Sequence, residues 1–271
     1  MKKRFCWVWV VLLLTGCASL PGKKTVMVDA RQTEQVLSRV EGTTPVILES
    51  GLGATLDWWA KVYPALAAET SVFAYNRPGY GHSSPPVTPR DGEHVVDELR
   101  TLLRSQGLQP PYVLVGHSLG GLYLQWYARR YPDEVKALVL VDSTHPLQMQ
   151  GEGSPEHWPW WVGLAMRGLT SATGKAELEG INRTGAEVLA LPPFPGERVI
   201  ILSAQKPMSG TSALARDANA KRVDLLRLYP GARQVWVDTG HGIPLEKPEA
   251  VIQAVREAIG KETAETGTER D

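Results

Sequence analysis

From about residue 45 onward, short runs of apolar, largely β-branched residues alternate with stretches whose apolar positions recur every three or four residues. Val46-Ile47-Leu48, Val72-Phe73-Ala74-Tyr75, Val113-Leu114-Val115, Ala137–Val141, Val199–Leu202 and Val235-Trp236-Val237 have the unbroken apolar character of strands covered on both faces. Between them Val95, Leu99, Leu102 and Leu103 fall at i, i+4, i+7 and i+8, and Val251, Ala254, Val255, Ala258 and Ile259 repeat the helical spacing near the end. Parallel strands need crossover connections, so this alternation predicts a mostly parallel sheet with helices on both faces. Ahead of it, Val26-Met27-Val28 and Gln35–Val40 read as one or two antiparallel leading strands.

Two stretches depart from the rhythm. His145–Gly196 contains Trp158, Trp160 and Trp161, is rich in proline and has no strand-like run. About fifty residues is too long for an ordinary connection, which predicts an inserted cap over residues 145–196. The core then comprises residues 25–144 and 197–260, and the polar stretch 261–271 reads as a frayed tail.

At the other end, Met1-Lys2-Lys3-Arg4 is a cationic start followed by the apolar run Phe5–Leu14. Ten apolar residues suit a secretory signal and fall short of the ~20 that a membrane span needs. Leu14-Thr15-Gly16-Cys17 resembles the bacterial lipobox. That resemblance implies a signal peptide over residues 1–16, lipidation of Cys17 and a lipidated tether over residues 17–24. The expected location is export with a lipid anchor in the bacterial membrane, the outer membrane in a Gram-negative cell, since Ala18 rather than Asp follows the cysteine. An ordinary secretory signal with an incidental cysteine is the alternative.

Composition adds exclusions. A chain 43% hydrophobic and 21% charged is that of a packed domain rather than a disordered one. Its 29 Lys and Arg match 29 Asp and Glu, and loss of the three cations before Gly16 leaves 26 against 29, so no basic surplus argues for nucleic acid. Of two cysteines, Cys6 would leave with the signal, so no disulfide forms within the mature chain. No His/Cys grouping has structural-zinc spacing, and no cofactor is called for.

The sharpest chemical signal is Gly116-His117-Ser118-Leu119-Gly120. G-x-S-x-G alone is weak, but here it follows the strand-like Tyr112–Val115 and opens a helical stretch, the setting of a nucleophile elbow. A phosphate-binding turn is the rival, and it lacks both G-x-G-x-x-G and a Walker lysine. A serine hydroxyl needs a base. His241, in Asp238-Thr239-Gly240-His241-Gly242 beyond the last strand, lies on a loop at the same sheet edge as Ser118. His117 reads as packing at the elbow, His82 as a loop lock and His94 as a surface residue. His145 and His157 read as residues able to touch substrate but badly placed to act as base.

Together Glu49-Ser50-Gly51-Leu52-Gly53, Arg77-Pro78-Gly79-Tyr80-Gly81, Gly116–Gly120 and Gly240-His241, in this order over about residues 45–260, resemble the α/β-hydrolase superfamily. The resemblance implies an α/β-hydrolase fold with an eight-stranded, mostly parallel sheet, a cap after the sixth strand, and a Ser–His–acid triad. It implies an oxyanion hole from the backbone N–H groups of Leu52 and Leu119. Where the family usually has His-Gly in the first loop this chain has Ser50-Gly51, which removes a side chain that braces that loop. The family usually places the acid after the seventh strand, here Ser203-Ala204-Gln205-Lys206, where no carboxylate stands. Asp142, ending the sixth strand, is the candidate acid; Asp217 and Asp224, in a helical stretch where Asp224 reads as solvent-facing, are the rivals, and turn capping is Asp142's bland alternative.

The expected activity is hydrolysis of a carboxylic ester with an apolar part, by a triad of Ser118, His241 and Asp142 acting through an acyl-enzyme and without cofactor. An amidase or aminopeptidase, for which Glu152, Glu156, Glu177 and Glu179 of the cap would be available, and a thioesterase or perhydrolase are the alternatives of the same fold. A non-enzymatic scaffold would be expected to have lost Ser118 or His241, and both are present.

Overall fold

The computed structural model describes residues 19–158, 170–205 and 212–260. Eight strands form one sheet: β1 (Lys24–Val28), β2 (Arg31–Ser38), β3 (Val46–Glu49), β4 (Val72–Tyr75), β5 (Tyr112–His117), β6 (Val135–Val141), β7 (Val199–Ala204) and β8 (Arg233–Val237). Their spatial order is β1-β2-β4-β3-β5-β6-β7-β8. β1 and β2 pair antiparallel, β2 joins β4 antiparallel, and every other pairing is parallel. The leading hairpin turns on Asp29-Ala30, both with positive φ (47° and 61°), the backbone that a two-residue turn between twisted strands requires.

The sheet divides the core in two. Side chains alternate across a strand, so Ile47, Phe73, Leu114, Leu138, Leu140 and Ile201 meet one helical layer, while Val46, Leu48, Val72, Val113, Val139 and Leu202 meet the other. The first layer contains α2 (Gly92–Ser105), α3 (Leu119–Arg130) and the buried Ile181, Val188 and Leu225. The second contains α1 (Tyr63–Ala67), through Leu66, and the C-terminal helix Pro248–Ile259, through Val251, Ala254 and Val255. The periodic apolar positions read from the sequence in Gly92–Ser105 are those buried, and Asp91 caps that helix by accepting from the His94 N–H.

Between β6 and β7 the described residues hold three short 3-10 turns (Gly151–Gly153, Pro155–His157 and Gly196–Arg198) and the long helix α4 (Ala172–Ala190), with no strand among them. Trp158 is half-buried and its indole N–H donates to Gly153 O at 3.0 Å; Trp160 and Trp161 lie outside the described residues. After β7 come α5 (Ala213–Arg227), β8, the short α6 (Ile243–Glu246) and α7 (Pro248–Ile259). No described helix is long and apolar enough to cross a membrane. Cys17 and the stretch 261–271 also lie outside the described residues.

The described end of the expected tether lies against the core. Leu20 is buried in the second core layer, its N–H donates to Asp57 Oδ1 at 2.7 Å, and Lys23 Nζ reaches Asp57 Oδ2 at 2.9 Å. Leu20 shares that layer with Val36 of β2, a placement that no local pattern announces.

Candidate active site

Register brings the ends of the central strands to one edge. Glu49 pairs with Gly116, His117 with Val141, Val141 with Leu202, and Ala204 with Val237, so the residues that follow β3, β5, β6, β7 and β8 converge. Ser118 joins β5 to α3 with φ 53° and ψ −124°, a strained conformation for a residue with a side chain. Neighbouring glycines make the sharp turn possible. A Cβ on Gly120 would stand 2.5 Å from the carbonyl oxygens of Glu49 and Ser50, and one on Gly116 would stand 2.6 Å from Gly121 Cα.

Ser118 Oγ lies 3.0 Å from His241 Nε2, and His241 Nδ1 lies 2.5 Å from Asp142 Oδ2. A carboxylate only accepts, so the proton of a neutral His241 sits on Nδ1 and the Nε2 lone pair faces the serine hydroxyl. The side chain of Asp142 is fully buried, and that of His241 is 36% exposed. Burial by itself would raise the pKa of Asp142. The hydrogen bonds and charges of His241 and Arg222 outweigh it and hold the carboxyl below the usual carboxylate range. Two donations from Arg222, Nε to Oδ1 at 2.7 Å and Nη2 to Oδ2 at 3.0 Å, join that of the Ala204 N–H to Oδ1 at 3.2 Å.

The rival carboxylates are elsewhere engaged. Asp217 pairs with Lys221 at 2.6 Å. Asp224 is not simply solvent-facing: at 29% side-chain exposure it accepts from His145 Nε2 at 3.1 Å and pairs with Arg227. His145 is buried and its Nδ1 accepts from the Leu147 N–H, so it locks the segment after β6 to α5 rather than facing a substrate. His157 is exposed, with Nδ1 bonded to Gly151 O. His82 serves its loop through its backbone, whose N–H donates to Glu34 Oε2 at 2.9 Å.

His117 packs as the sequence suggests, but it also has a polar duty. Its ring stacks on Trp58, and Nε2–H donates to His241 O at 2.9 Å, which fixes the loop that carries the base. Burial, then the charge His241 can acquire, push its pKa down to about 3, so it is a neutral donor here. That same loop is tied to α6 by Glu246, which accepts from Thr239 Oγ1 and from the Gly240 N–H.

The first loop lies against the serine. A Cβ on Gly51 would be 3.1 Å from Ser118 Cβ, so the backbone carrying the Leu52 N–H passes beside the hydroxyl. The Leu119 N–H opens α3 and has no partner within its own helix. The brace that Ser50 does not supply comes from Arg77, whose buried guanidinium donates to Ser50 O (2.5 Å) and Gly51 O (2.9 Å). Ser50 itself accepts from the Trp59 indole at 3.0 Å. The sequence places Arg77 in a motif but gives it no role, and nothing in it marks Arg222. The vacancy at Ser50 was the one signal that another group must hold the loop.

Glu177 is not available to a substrate, because it is fully buried against Arg77 and the Tyr80 hydroxyl. Glu152, Glu156 and Glu179 are exposed. Asp91, Glu93 and His94 gather within 4.8 Å, but Asp91 is occupied by capping α2 and by Arg183.

Residues 44–174 match the sequence model of the α/β hydrolase fold. The chain is 27% identical over 276 residues to the bovine (lyso)-N-acylphosphatidylethanolamine lipase, covering 89% of this chain and 78% of that one. Among solved structures, Cfl2 of Burkholderia cenocepacia superposes with a TM-score of 0.67 at 19% identity, covering 88% of this chain and 95% of that one. A thermophilic esterase from Thermogutta terrifontis superposes with a TM-score of 0.60 at 21% identity, covering 87% and 97%. Likeness at such identities speaks for the fold alone. From its strand order, the Ser118 elbow and the match over residues 44–174, the chain has the α/β-hydrolase fold.

Proposed function

We propose that this protein is a serine hydrolase that cleaves carboxylic esters through an acyl-enzyme. The observation that carries the reading is the chain of contacts Ser118 Oγ to His241 Nε2 at 3.0 Å and His241 Nδ1 to Asp142 at 2.5 Å. Ser118 Oγ attacks the ester carbonyl carbon as its proton passes to His241 Nε2. Charge that develops on the carbonyl oxygen is met by the N–H groups of Leu52 and Leu119. His241 then returns the proton to the leaving alcohol, the carbon–oxygen bond breaks, and Ser118 is left acylated. Water, deprotonated by the same imidazole, releases the acid and restores the serine. The buried anion of Asp142 keeps the imidazole in the required tautomer and stabilises its charged form.

An acyl ester with an apolar part is the substrate class we favour, in keeping with a relative named for a lipid. An amide substrate recognised by its free amine would need a cap carboxylate, and Glu177 is already committed to Arg77. Export and lipidation at Cys17 belong to the same proposal, on the strength of Leu14-Thr15-Gly16-Cys17. A lipase-like enzyme held at a membrane would meet its substrates there.

The test is a fluorophosphonate probe together with p-nitrophenyl esters of graded chain length. The protein should be labelled and should turn over esters, and Ser118→Ala should lose both. Labelling retained in Ser118→Ala would overturn the assignment. Intact mass of the protein from membranes reads the lipid directly, and an unmodified mature N-terminus would rule the anchor out.

A further inference from the structure

Asp142 is held by more than its histidine. Its carboxylate, with no exposure of the side chain, accepts from His241 Nδ1, from Arg222 Nε and Nη2, and from the Ala204 N–H. The guanidinium grips it as a fork, one nitrogen to each oxygen, the strongest geometry open to such a pair. Its remaining bond runs from Nη1 to Ala218 O of its own helix, so its charge is spent on this one anion.

The helix that presents it is fixed from two sides. Arg222 O accepts from Gln234 Nε2, which also reaches Ser203 Oγ and so ties α5 to β7 and β8. Lys221 donates to Gln150 O at 2.7 Å, and Asp224 holds His145, tying α5 to the segment that follows Asp142. The guanidinium therefore waits at a set place instead of being recruited from solvent.

We propose that Arg222 is a positioning residue for the hydrolytic reaction: it fixes the carboxylate of Asp142 in the orientation that faces His241 Nδ1. This rests on the ester-hydrolase reading of the site. Asp142 must face the imidazole with one oxygen and stay ionised, and the fork enforces both. The other titratable groups around His241 are Ser118, His117 from β5, with ring centroids 4.7 Å apart, Glu246 from α6 and Asp238 earlier in its own loop. Around Asp142, α5 adds the pairs Asp217–Lys221 and Asp224–His145. None of these grips the carboxylate of Asp142.

The experiment reads the low-field proton NMR signal of the His241 Nδ1–H donated to Asp142 in wild type, Arg222→Gln and Arg222→Lys, alongside kcat and KM on a p-nitrophenyl ester. Arg222→Gln loses the fork, so the signal should move upfield or broaden and kcat should fall about tenfold or more with little change in KM. Arg222→Lys keeps the charge and loses the fork, so kcat should fall there too. Unchanged signal and kcat in Arg222→Gln, or a lower melting temperature as its one effect, would overturn the proposal. Should Arg222→Gln not fold, a wild-type kcat in Arg222→Lys would overturn it equally. The NMR signal needs no substrate, so a protein that cleaved no ester would defeat the proposed activity and leave the Arg222 result standing.

Discussion

Ser118 and Asp142 share a property that two residues of an ordinary packed core would not: both have a side chain and a positive φ, 53° and 40°. Each such residue costs on the order of 1–3 kcal/mol and persists only where its surroundings over-determine it. Here they do. The Ser118 N–H donates to Val141 O and its carbonyl accepts from Thr144, while the Asp142 N–H donates to Leu202 O at 2.7 Å. Strain held in this way turns both side chains toward His241. Asp142→Asn keeps the shape but offers an amide N–H2 or a neutral oxygen to Nδ1, which favours the wrong tautomer and removes the charge that stabilises imidazolium. It should lower kcat by about 10²–10⁴-fold with modest change in KM. Asp217→Asn and Asp224→Asn touch Lys221, His145 and Arg227 rather than His241 and should stay within a few-fold of wild type. Steady-state kinetics on one ester decides it: a normal kcat in Asp142→Asn with a collapse in a folded Asp224→Asn would move the acid to α5.

At the scale of elements, α4 is joined to the core by a buried ion cluster. Arg77 donates Nε and Nη2 to Glu177 at 2.7 and 2.9 Å and Nη1 to Glu49 at 2.6 Å, while the Tyr80 hydroxyl donates to Glu177 Oε2 beside Nη2 and the Tyr75 hydroxyl to the other oxygen of Glu49. Removing one partner of a buried pair leaves charge without compensation, at about 3–5 kcal/mol. Glu177→Ala should therefore lower the urea midpoint by that much in free energy, with Glu177→Gln costing less because it keeps a hydrogen-bonding end. Equal midpoints for wild type and Glu177→Ala would show that α4 is not held this way. The same cluster marks where the sequence was legible and where it was not. Apolar runs located the six central strands, and motifs located Ser118 and His241, because those signals are local and periodic. Asp142 followed from its place at a strand end. The partnership of Glu177 with Arg77 spans 100 residues, and nothing near either residue announces it. Helical spacing sets Asp224 off the buried stripe of Ala215, Ala218 and Leu225, puts Glu177 on the one shared by Ile181 and Val188, and is silent on what polar group waits at either place. Hence Glu177 reads as free for a substrate in the sequence, and nothing there marks Arg222.

Over the whole molecule, the histidines that pack the site tie stability to pH. His117 is buried as a neutral ring, its Nδ1 without a hydrogen-bond partner among the described residues, and its pKa is pushed down to about 3 by burial and then by His241. Burial also lowers the pKa of His145, against the pull of Asp224. In the unfolded chain both titrate near 6.5. Between about 6.5 and about 3 the unfolded chain therefore binds a proton that native His117 does not, and stability rises with pH; acidification from 6.5 removes it, by about 1.4 kcal/mol per pH unit for a single fully displaced histidine. Glu49 acts in the opposite sense, since burial raises its carboxyl pKa against the pull of Arg77, and it offsets part of the slope. The depressed carboxyl of Asp142 adds a further loss of stability, confined to pH values below the ordinary Asp range. Comparison of variants isolates the histidine. His117→Gln replaces the donor to His241 O with an amide and removes the proton-binding site, so urea midpoints at pH 7, 6, 5 and 4 should fall less steeply than in wild type. The two proteins should differ most in slope between pH 6 and 4 and little above pH 7, where His117 is neutral folded or unfolded. Parallel slopes would mean that native His117 takes up its proton as readily as the unfolded chain, and that its buried ring is reached by water as the protein acidifies.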